Sequence, residues 1–313
     1  MSTVTDSKPR ILLVDDEERI LRSLGMLLRM HYQVFATSDG HEALAILKRE
    51  KIHVLISDQR MPIMTGTELL RQARAIAPDT IRILLTGYAD ADAALEAVND
   101  GEIFRYINKP WGPKELRDTI AQAVQIAQTL DASVSATPAA AAAAAAARLT
   151  CLVLDKDVAT YQAVKELLEP AHEVIWRRSL DSALDVLTSQ QVAILVTELS
   201  LGDEDLSAML KTLKQEHPEL LTIILTCFKD TTRLIELINQ AQIYRYLPKP
   251  LRKGLLGQNI ESTIARYRRL RAQPAQVLTQ AVEKPQAPAQ QEKTAQIAQY
   301  LGWLRSRNSK TPA

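Results

Sequence analysis

Cysteine is nearly absent, with only Cys151 and Cys227 in 313 residues, each within or beside an apolar run. A disulfide framework needs more cysteines in a shorter chain, so a reducing compartment is expected. An excess of one charge is also missing: 38 Lys and Arg face 37 Asp and Glu. No overall field therefore draws the chain to nucleic acid or an anionic membrane, and specific sites must carry the function. No apolar run approaches the roughly 18 residues of a membrane span. Residues 1–10, MSTVTDSKPR, lack the apolar core of a signal peptide. A soluble, cytoplasmic protein is expected. The five histidines show no metal-ligand spacing.

What is present suffices for sizeable cores: 46% of residues are hydrophobic and 24% charged, near average soluble usage. The length suits two domains of ordinary size plus connecting material. An internal repeat sets their boundaries. Asp15 in ILLVDDE recurs as Asp155 in CLVLDKD, Thr86 in ILLTGYAD as Thr226 in IILTCFKD, and Lys109 in IFRYINKPW as Lys249 in IYRYLPKPL, each pair 140 positions apart. Pro78/Pro218, Asn99/Asn239, Arg105/Arg245 and Tyr106/Tyr246 keep that offset, as a duplication requires.

Within each copy, short apolar runs alternate with helical periodicity. In the first copy the pattern predicts strands near 10–14, 32–36, 53–57, 81–86 and 103–107, and helices near 17–30, 40–50, 66–76, 90–100 and 113–128. Runs such as ILLV and IRILLT are apolar on consecutive residues, which suits parallel strands covered on both faces. The fold class is thus α/β: two doubly wound domains, each a five-stranded parallel sheet with helices on both faces. The expected organisation is a first domain over 1–128, an Ala-rich linker over 129–148, a second domain over 149–271, and a Pro/Gln/Ala-rich tail over 272–313. For the linker, a spacer helix over 139–147 and a disordered tether are both open. The tail reads as disordered, apart from an amphipathic stripe of Ile297, Tyr300, Leu301 and Leu304 within 294–305.

Ligands of an open parallel sheet bind outside the carboxyl ends of its strands, where the first copy collects Asp15, Asp16, Asp58, Thr86 and Lys109. Three carboxylates meeting there repel one another unless a cation intervenes, and oxygen ligands in an open cleft suit Mg²⁺. The segments VDDE, SDQRMP, LTGYAD and NKPW, in order and spacing over about 9–128, resemble the receiver domains of two-component response regulators, the CheY-like (flavodoxin-like) family. The resemblance implies that Asp58 accepts a phosphoryl group from the phosphohistidine of a sensor histidine kinase or phosphotransfer protein. It further implies Mg²⁺ bound by Asp16, Asp58 and the main-chain carbonyl of Arg60, with Asp15 holding coordinated water. By the same resemblance Lys109 is expected to neutralise the phosphoryl oxygens, Lys109–Pro110 to be cis, and Thr86 and Tyr106 to form the switch that alters the face made by 90–100, 103–107 and 113–128.

The second copy departs from this pattern. Lys156 stands where the first copy has Asp16, Glu198 where it has Asp58, and Cys227 where it has Gly87. A glutamate carboxylate lies one methylene further out, and a lysine at a metal-ligand position supplies the cation itself. The set Asp155, Lys156, Glu198, Thr226 and Lys249 therefore reads as a degenerate site that takes no phosphoryl group. Two readings of Glu198 stand open: a mimic of phospho-aspartate, or a neutralised pair with Lys156. The pair is favoured because a nearby lysine offsets the charge that mimicry needs.

The leading expectation is a response regulator that switches protein contacts and is not an enzyme beyond its own phosphorylation and dephosphorylation. Dimerisation and rearrangement of the two domains are both open as the response. The wording SDQRMPIMTGTELL also resembles receivers fused to cyclic-di-GMP phosphodiesterases or transcriptional activators, but no HD pair with GYP, no P-loop and no GGDEF-like run follows. Two alternatives remain. One is a transcription regulator touching DNA through Arg266, Arg268, Arg269 and Arg271, although such a run more often caps a helix C-terminus in solvent. The other is an adaptor that docks onto a kinase or a second-messenger enzyme.

Overall fold

The computed structural model describes residues 8–87, 103–133, 146–226 and 231–280. The helix expected at 90–100, residues 134–145 of the linker, Cys227 and the 294–305 segment lie outside these. The chain divides into two compact units, Met1–Ser133 and Val134–Ala313. Among the described residues, no helix is long and apolar enough to cross a membrane.

In the first unit the order is β1 (Arg10–Val14), α1 (Glu18–Leu28), β2 (Gln33–Thr37), α2 (Gly40–Arg49), β3 (Val54–Asp58), α3 (Gly66–Ile76), β4 (Ile81–Thr86), β5 (Arg105–Asn108) and α4 (Pro113–Ala132). The strands pair in parallel in the order β2-β1-β3-β4-β5. β3 and β4 are buried along their whole length, as continuous apolar runs in central strands require. The edge strand β2 is buried only at Thr37. Helix starts follow local chemistry: the Asp39 carboxylate accepts from His41 N–H, the Thr65 hydroxyl from Glu68 N–H, and Pro113 opens α4. α4 runs past the boundary expected at 128 because Asp131 is anchored to the base of the sheet, 2.7 Å from Lys51 Nζ and 3.5 Å from His53 Nε2.

One glycine is dictated by close approach. A Cβ on Gly66 would lie 2.1 Å from the Asp58 carbonyl oxygen and 2.8 Å from Leu84 Cδ1. The first turn of α3 can therefore press against the end of β3 only without a side chain.

The second unit repeats the plan with β6 (Thr150–Leu154), α5 (Val158–Leu168), β7 (Glu173–Arg177), α6 (Leu180–Ser189), β8 (Ile194–Thr197), a short antiparallel hairpin of β9 (Ser200–Leu201) and β10 (Glu204–Asp205), α7 (Ser207–Glu216), β11 (Leu221–Thr226), α8 (Thr231–Ala241), β12 (Arg245–Pro248) and α9 (Lys253–Ala272). Its sheet order, β12-β11-β8-β6-β7, is that of the first. Both copies bury an arginine at the start of the last strand. Arg105 stacks 4.1 Å over Phe104, and Arg245 stacks 3.9 Å over Tyr244.

The chain after α9 departs from expectation. Residues Pro274–Gln280 form a 3-10 helix, a strap on the second core, where a disordered tail was expected from 272. Val277 packs on that core. Two buried cations hold the strap. Lys214 Nζ donates to the carbonyls of Pro218 and Leu220, each at 2.8 Å, and to Gln280 Oε1 at 3.1 Å. Arg266 donates to Gln276 Oε1 at 3.0 Å and Thr279 Oγ1 at 2.7 Å. Burial, with the Arg266 charge nearby, pushes the Lys214 ammonium down to about 7. Arg266 is thus no part of an exposed basic stripe. It lies inside, where the first copy has the buried Ile126, and the strap supplies the oxygens its charge needs.

Two outcomes are expected from denaturant unfolding. Gly66→Ala destabilises the first domain by about 1–3 kcal/mol, because overpacked backbone must shift. A chain ending at Gln273 loses about 1–3 kcal/mol in its second domain relative to one ending at Gln280, since Lys214 and Arg266 lose strap acceptors in a buried setting.

Candidate functional site

Strand ends bring the first-copy residues together at one sheet edge. Asp15 follows β1 and is 1% exposed. Its Oδ1 accepts the Glu17 N–H at 2.9 Å and its Oδ2 accepts from Lys109 Nζ at 3.0 Å. Asp58, the last residue of β3, places Oδ1 2.6 Å from the same Nζ, while its Oδ2 accepts the Arg60 N–H at 2.7 Å. Lys109 follows β5, its N–H donating to the Thr86 carbonyl at 2.8 Å, and Lys109–Pro110 is cis. Thr86 ends β4 and is buried, its hydroxyl 3.3 Å from the Gly87 carbonyl oxygen. Tyr106 on β5 is buried as well, which raises its phenol well above the ordinary value.

One ammonium thus bridges two carboxylates. Burial raises the Asp15 carboxyl above its usual value against the lowering pull of the Glu17 N–H and Lys109. Burial also pulls Lys109 down, but its contacts with Asp58 and Asp15 outweigh this and leave it raised. Asp16 does not join the cluster; it is exposed, and among the described residues no three acidic or metal-binding side chains close into a cage. The exposed Arg60 meets Asp58 through its N–H.

The second copy reproduces half of this. Asp155 Oδ1 accepts the Asp157 N–H at 2.8 Å, and Oδ2 accepts from Lys249 Nζ at 2.9 Å. The expected Lys156–Glu198 pair is not formed. Glu198 pairs with Lys249, the lysine that also holds Asp155. Lys156 is exposed and reaches over the β9–β10 turn, where a Cβ on Gly202 would lie 2.8 Å from its Nζ. The extra methylene of Glu198 explains this choice: the residue stands beyond the end of β8 and its side chain is 27% exposed, against 7% for Asp58, yet it still reaches the fifth-strand lysine. Burial pulls Lys249 down, and Glu198 with Asp155 turns the net shift upward. Thr226 ends β11, in register with Pro248.

Two features escaped the sequence. The hairpin at 200–205 was signalled by Gly202-Asp203, a two-residue turn pair, but its strands are too short to show alternation. Trp176 stacks on Tyr161 at 5.1 Å and donates its indole N–H to the Asp155 carbonyl at 2.8 Å, bracing the second-copy cluster where the first copy has Ala36 and Leu21.

Several known proteins are similar to parts of this chain. Over 122 residues the chain is 39% identical to the hydrogenase transcriptional regulatory protein HoxA of Cupriavidus necator, covering 39% of this chain and 25% of that protein. It is 33% identical over 129 residues to the alginate biosynthesis transcriptional regulatory protein AlgB of Pseudomonas aeruginosa, covering 41% and 28%. The chain thus spans about a quarter of the length of the curated relatives it matches. Among solved structures, the signal receiver domain of an HD domain-containing protein from Pseudomonas fluorescens is 37% identical, covering 43% of this chain and 98% of that one, with a TM-score of 0.40. A CheY-like response regulator receiver domain protein from Methanospirillum hungatei is 33% identical, covering 39% and 98%, with a TM-score of 0.38. The family described as the response regulator receiver domain matches twice, over residues 11–121 and 151–261, and the chain belongs to that family as a tandem of two receiver domains.

Proposed function

We propose that this chain is a response regulator whose first domain takes a phosphoryl group on Asp58 and whose second domain takes none. The observation that carries the reading is the contrast in local charge. In the first copy Asp15 and Asp58 share one ammonium, Lys109, and the adjacent exposed Asp16 adds a further negative charge, an excess that a divalent cation cancels. In the second, Asp155 and Glu198 share Lys249 alone, and the residue in the place of Asp16 is a cation, Lys156, with its ammonium over the Gly202 turn. The donor set fits Mg²⁺: all its ligand atoms are oxygens, and two carboxylates are already gathered around a cation, with a third, Asp16, free to turn toward them. Asp15, Asp16, Asp58 and the Arg60 carbonyl are the groups that would hold it. When bound, Mg²⁺ supplies neutralisation of phosphoryl oxygens.

The chain's own residues do the rest. Asp58 attacks phosphorus as the bond to the donor histidine breaks, the leaving imidazole takes a proton, and an acyl phosphate forms. Lys109 neutralises developing charge from a fixed position. The Thr86 hydroxyl then turns to the new phosphate, and the buried Tyr106 on the neighbouring β5 carries the change to the surface. The donor is a sensor histidine kinase or phosphotransfer protein, and the output is altered protein contact. HoxA and AlgB are transcriptional regulatory proteins by name, which supports a role in gene regulation for the whole protein. The inward Arg266 speaks against direct DNA contact through the arginine run.

Two outcomes test this. Acetyl phosphate with Mg²⁺ labels one site, and Asp58→Asn abolishes labelling; label at Glu198 would contradict the assignment. Asp15→Asn separates metal binding from folding. Because the folded-state value of Asp15 is raised, its carboxyl favours folding only below about 3.8 and loses that contribution as pH climbs through the raised value. At neutral pH the variant without Mg²⁺ therefore unfolds at a higher urea concentration than the parent chain, while its stabilisation by added Mg²⁺ is smaller.

A further inference from the structure

Gln59, the residue after Asp58, is a buried amide at a position where the second copy has the buried Leu199. An apolar side chain therefore suits the packing here, and a buried amide costs desolvation unless its oxygen is met. In the first copy it is met twice. Gln59 Oε1 accepts the Thr67 N–H at 3.1 Å and the Thr67 hydroxyl at 2.7 Å, inside the first turn of α3. The main chain adds two bonds. The Gln59 N–H donates to the Leu85 carbonyl on β4 at 3.0 Å, and the Gln59 carbonyl accepts the Gly66 N–H at 3.1 Å. Main chain and side chain of one residue are thus tied to the two residues that open α3.

The peptide between Gln59 and Arg60 passes this constraint to the acceptor. Its carbonyl is held by Gly66, and its N–H donates to Asp58 Oδ2 at 2.7 Å. A peptide is planar, so the direction of that N–H follows from how Gln59 is held. The Asp58 carboxylate turns about its last side-chain bond, a broad torsion, and is set by Lys109 on Oδ1 and the Arg60 N–H on Oδ2. Freeing the peptide releases the contact on one of the two oxygens.

The second copy shows what remains without the amide. The Leu206 N–H still reaches the Leu199 carbonyl at 2.9 Å, so the main-chain bond to the next helix needs no glutamine. Ser207, in the place of Thr67, gives its N–H to Asp205 Oδ1 at 2.8 Å, within its own segment. The copy with the aspartate has the side-chain clamp, and the copy with a glutamate has a leucine in its place. A buried polar pair that packing alone does not require points to a task in holding geometry.

We propose that Gln59 is a positioning residue for phosphoryl acceptance: clamped on Thr67, it fixes the 59–60 peptide and through it the direction of the Asp58 carboxylate. The proposal rests on the reading of Asp58 as phosphoacceptor. Gln59 lies beneath the surface and touches no donor. Its loss therefore slows the chemical step and leaves donor binding as it was.

The test uses the full chain with Gln59→Leu, Thr67→Val, Thr67→Ser, and Gln59→Leu combined with Thr67→Val. Each is labelled over a range of acetyl phosphate concentrations at saturating Mg²⁺, at a temperature where its circular dichroism shows it folded. Mg²⁺ affinity is measured separately by calorimetry. In Gln59→Leu the maximal labelling rate is expected to fall about tenfold, and Mg²⁺ affinity with it. The acetyl phosphate concentration giving half that rate is expected to stay within about twofold of the parent. Thr67→Val is expected to lose about threefold and Thr67→Ser to match the parent, while the combined variant is no slower than Gln59→Leu. A role in folding alone would lower the melting temperature and leave the maximal rate of the folded protein unchanged, which would overturn the proposal. So would losses that multiply in the combined variant. Should Gln59→Leu not fold, the Thr67 pair decides: equal maximal rates in Thr67→Val and Thr67→Ser overturn the clamp. Failure of acetyl phosphate to label the parent sinks the Asp58 reading instead.

Discussion

The ammonium at the end of the fifth strand is the constraint on which both sites depend. Asp15 and Asp155 are buried at the end of a first strand, and a buried carboxylate needs a cation or donors to stay charged. In each copy a backbone N–H two residues on serves one oxygen and the lysine serves the other. The same lysine also holds the residue after the third strand's apolar run, Asp58 or Glu198. Lys249 therefore balances charge in the second copy as Lys109 does in the first. What separates the copies is the remaining charge. Beside the first cluster the exposed Asp16 adds negative charge, whereas beside the second Lys156 adds positive charge.

Much of the fold was legible because the central strands are continuous apolar runs with little choice of environment. ILLV, VLIS and IRILLT fall within β1, β3 and β4, and the repeat carried the reading into the second unit. The boundaries failed where distant residues decide them. α4 is extended by Lys51 and His53, which hold Asp131 from the base of the sheet. The strap is ordered by Lys214 and by Arg266, the latter read from sequence as part of a solvated basic run. Periodicity records which face of a helix is apolar, and it misreads a cation turned inward toward oxygens from another segment.

The candidate site was legible as a set of residues and less so as a set of contacts. Placement at strand ends follows from sequence, so Asp15, Asp58, Thr86 and Lys109 could be assembled without coordinates. Side-chain direction does not follow. Lys156 was paired with Glu198 because the first copy's metal ligands imply adjacency, yet its four-carbon stem carries the ammonium over the Gly202 turn. That turn exists because the second copy rebuilt the loop after its third strand, an event no charge pattern announces.

This loop is where the two copies part structurally as well as chemically. In the first, Gly66 lets α3 close on the Asp58 carbonyl, and Met61 and Met64 pin the turn between them. In the second, Leu206 stands at the glycine position and is fully buried, its N–H donating to the Leu199 carbonyl at 2.9 Å, and the hairpin takes up the intervening residues. A leucine there cannot coexist with the approach that Gly66 permits. The loops after the third strand thus differ in shape as well as in charge although each keeps the equivalent N–H to carbonyl bond, and changing the two charges alone leaves the second loop in its own shape.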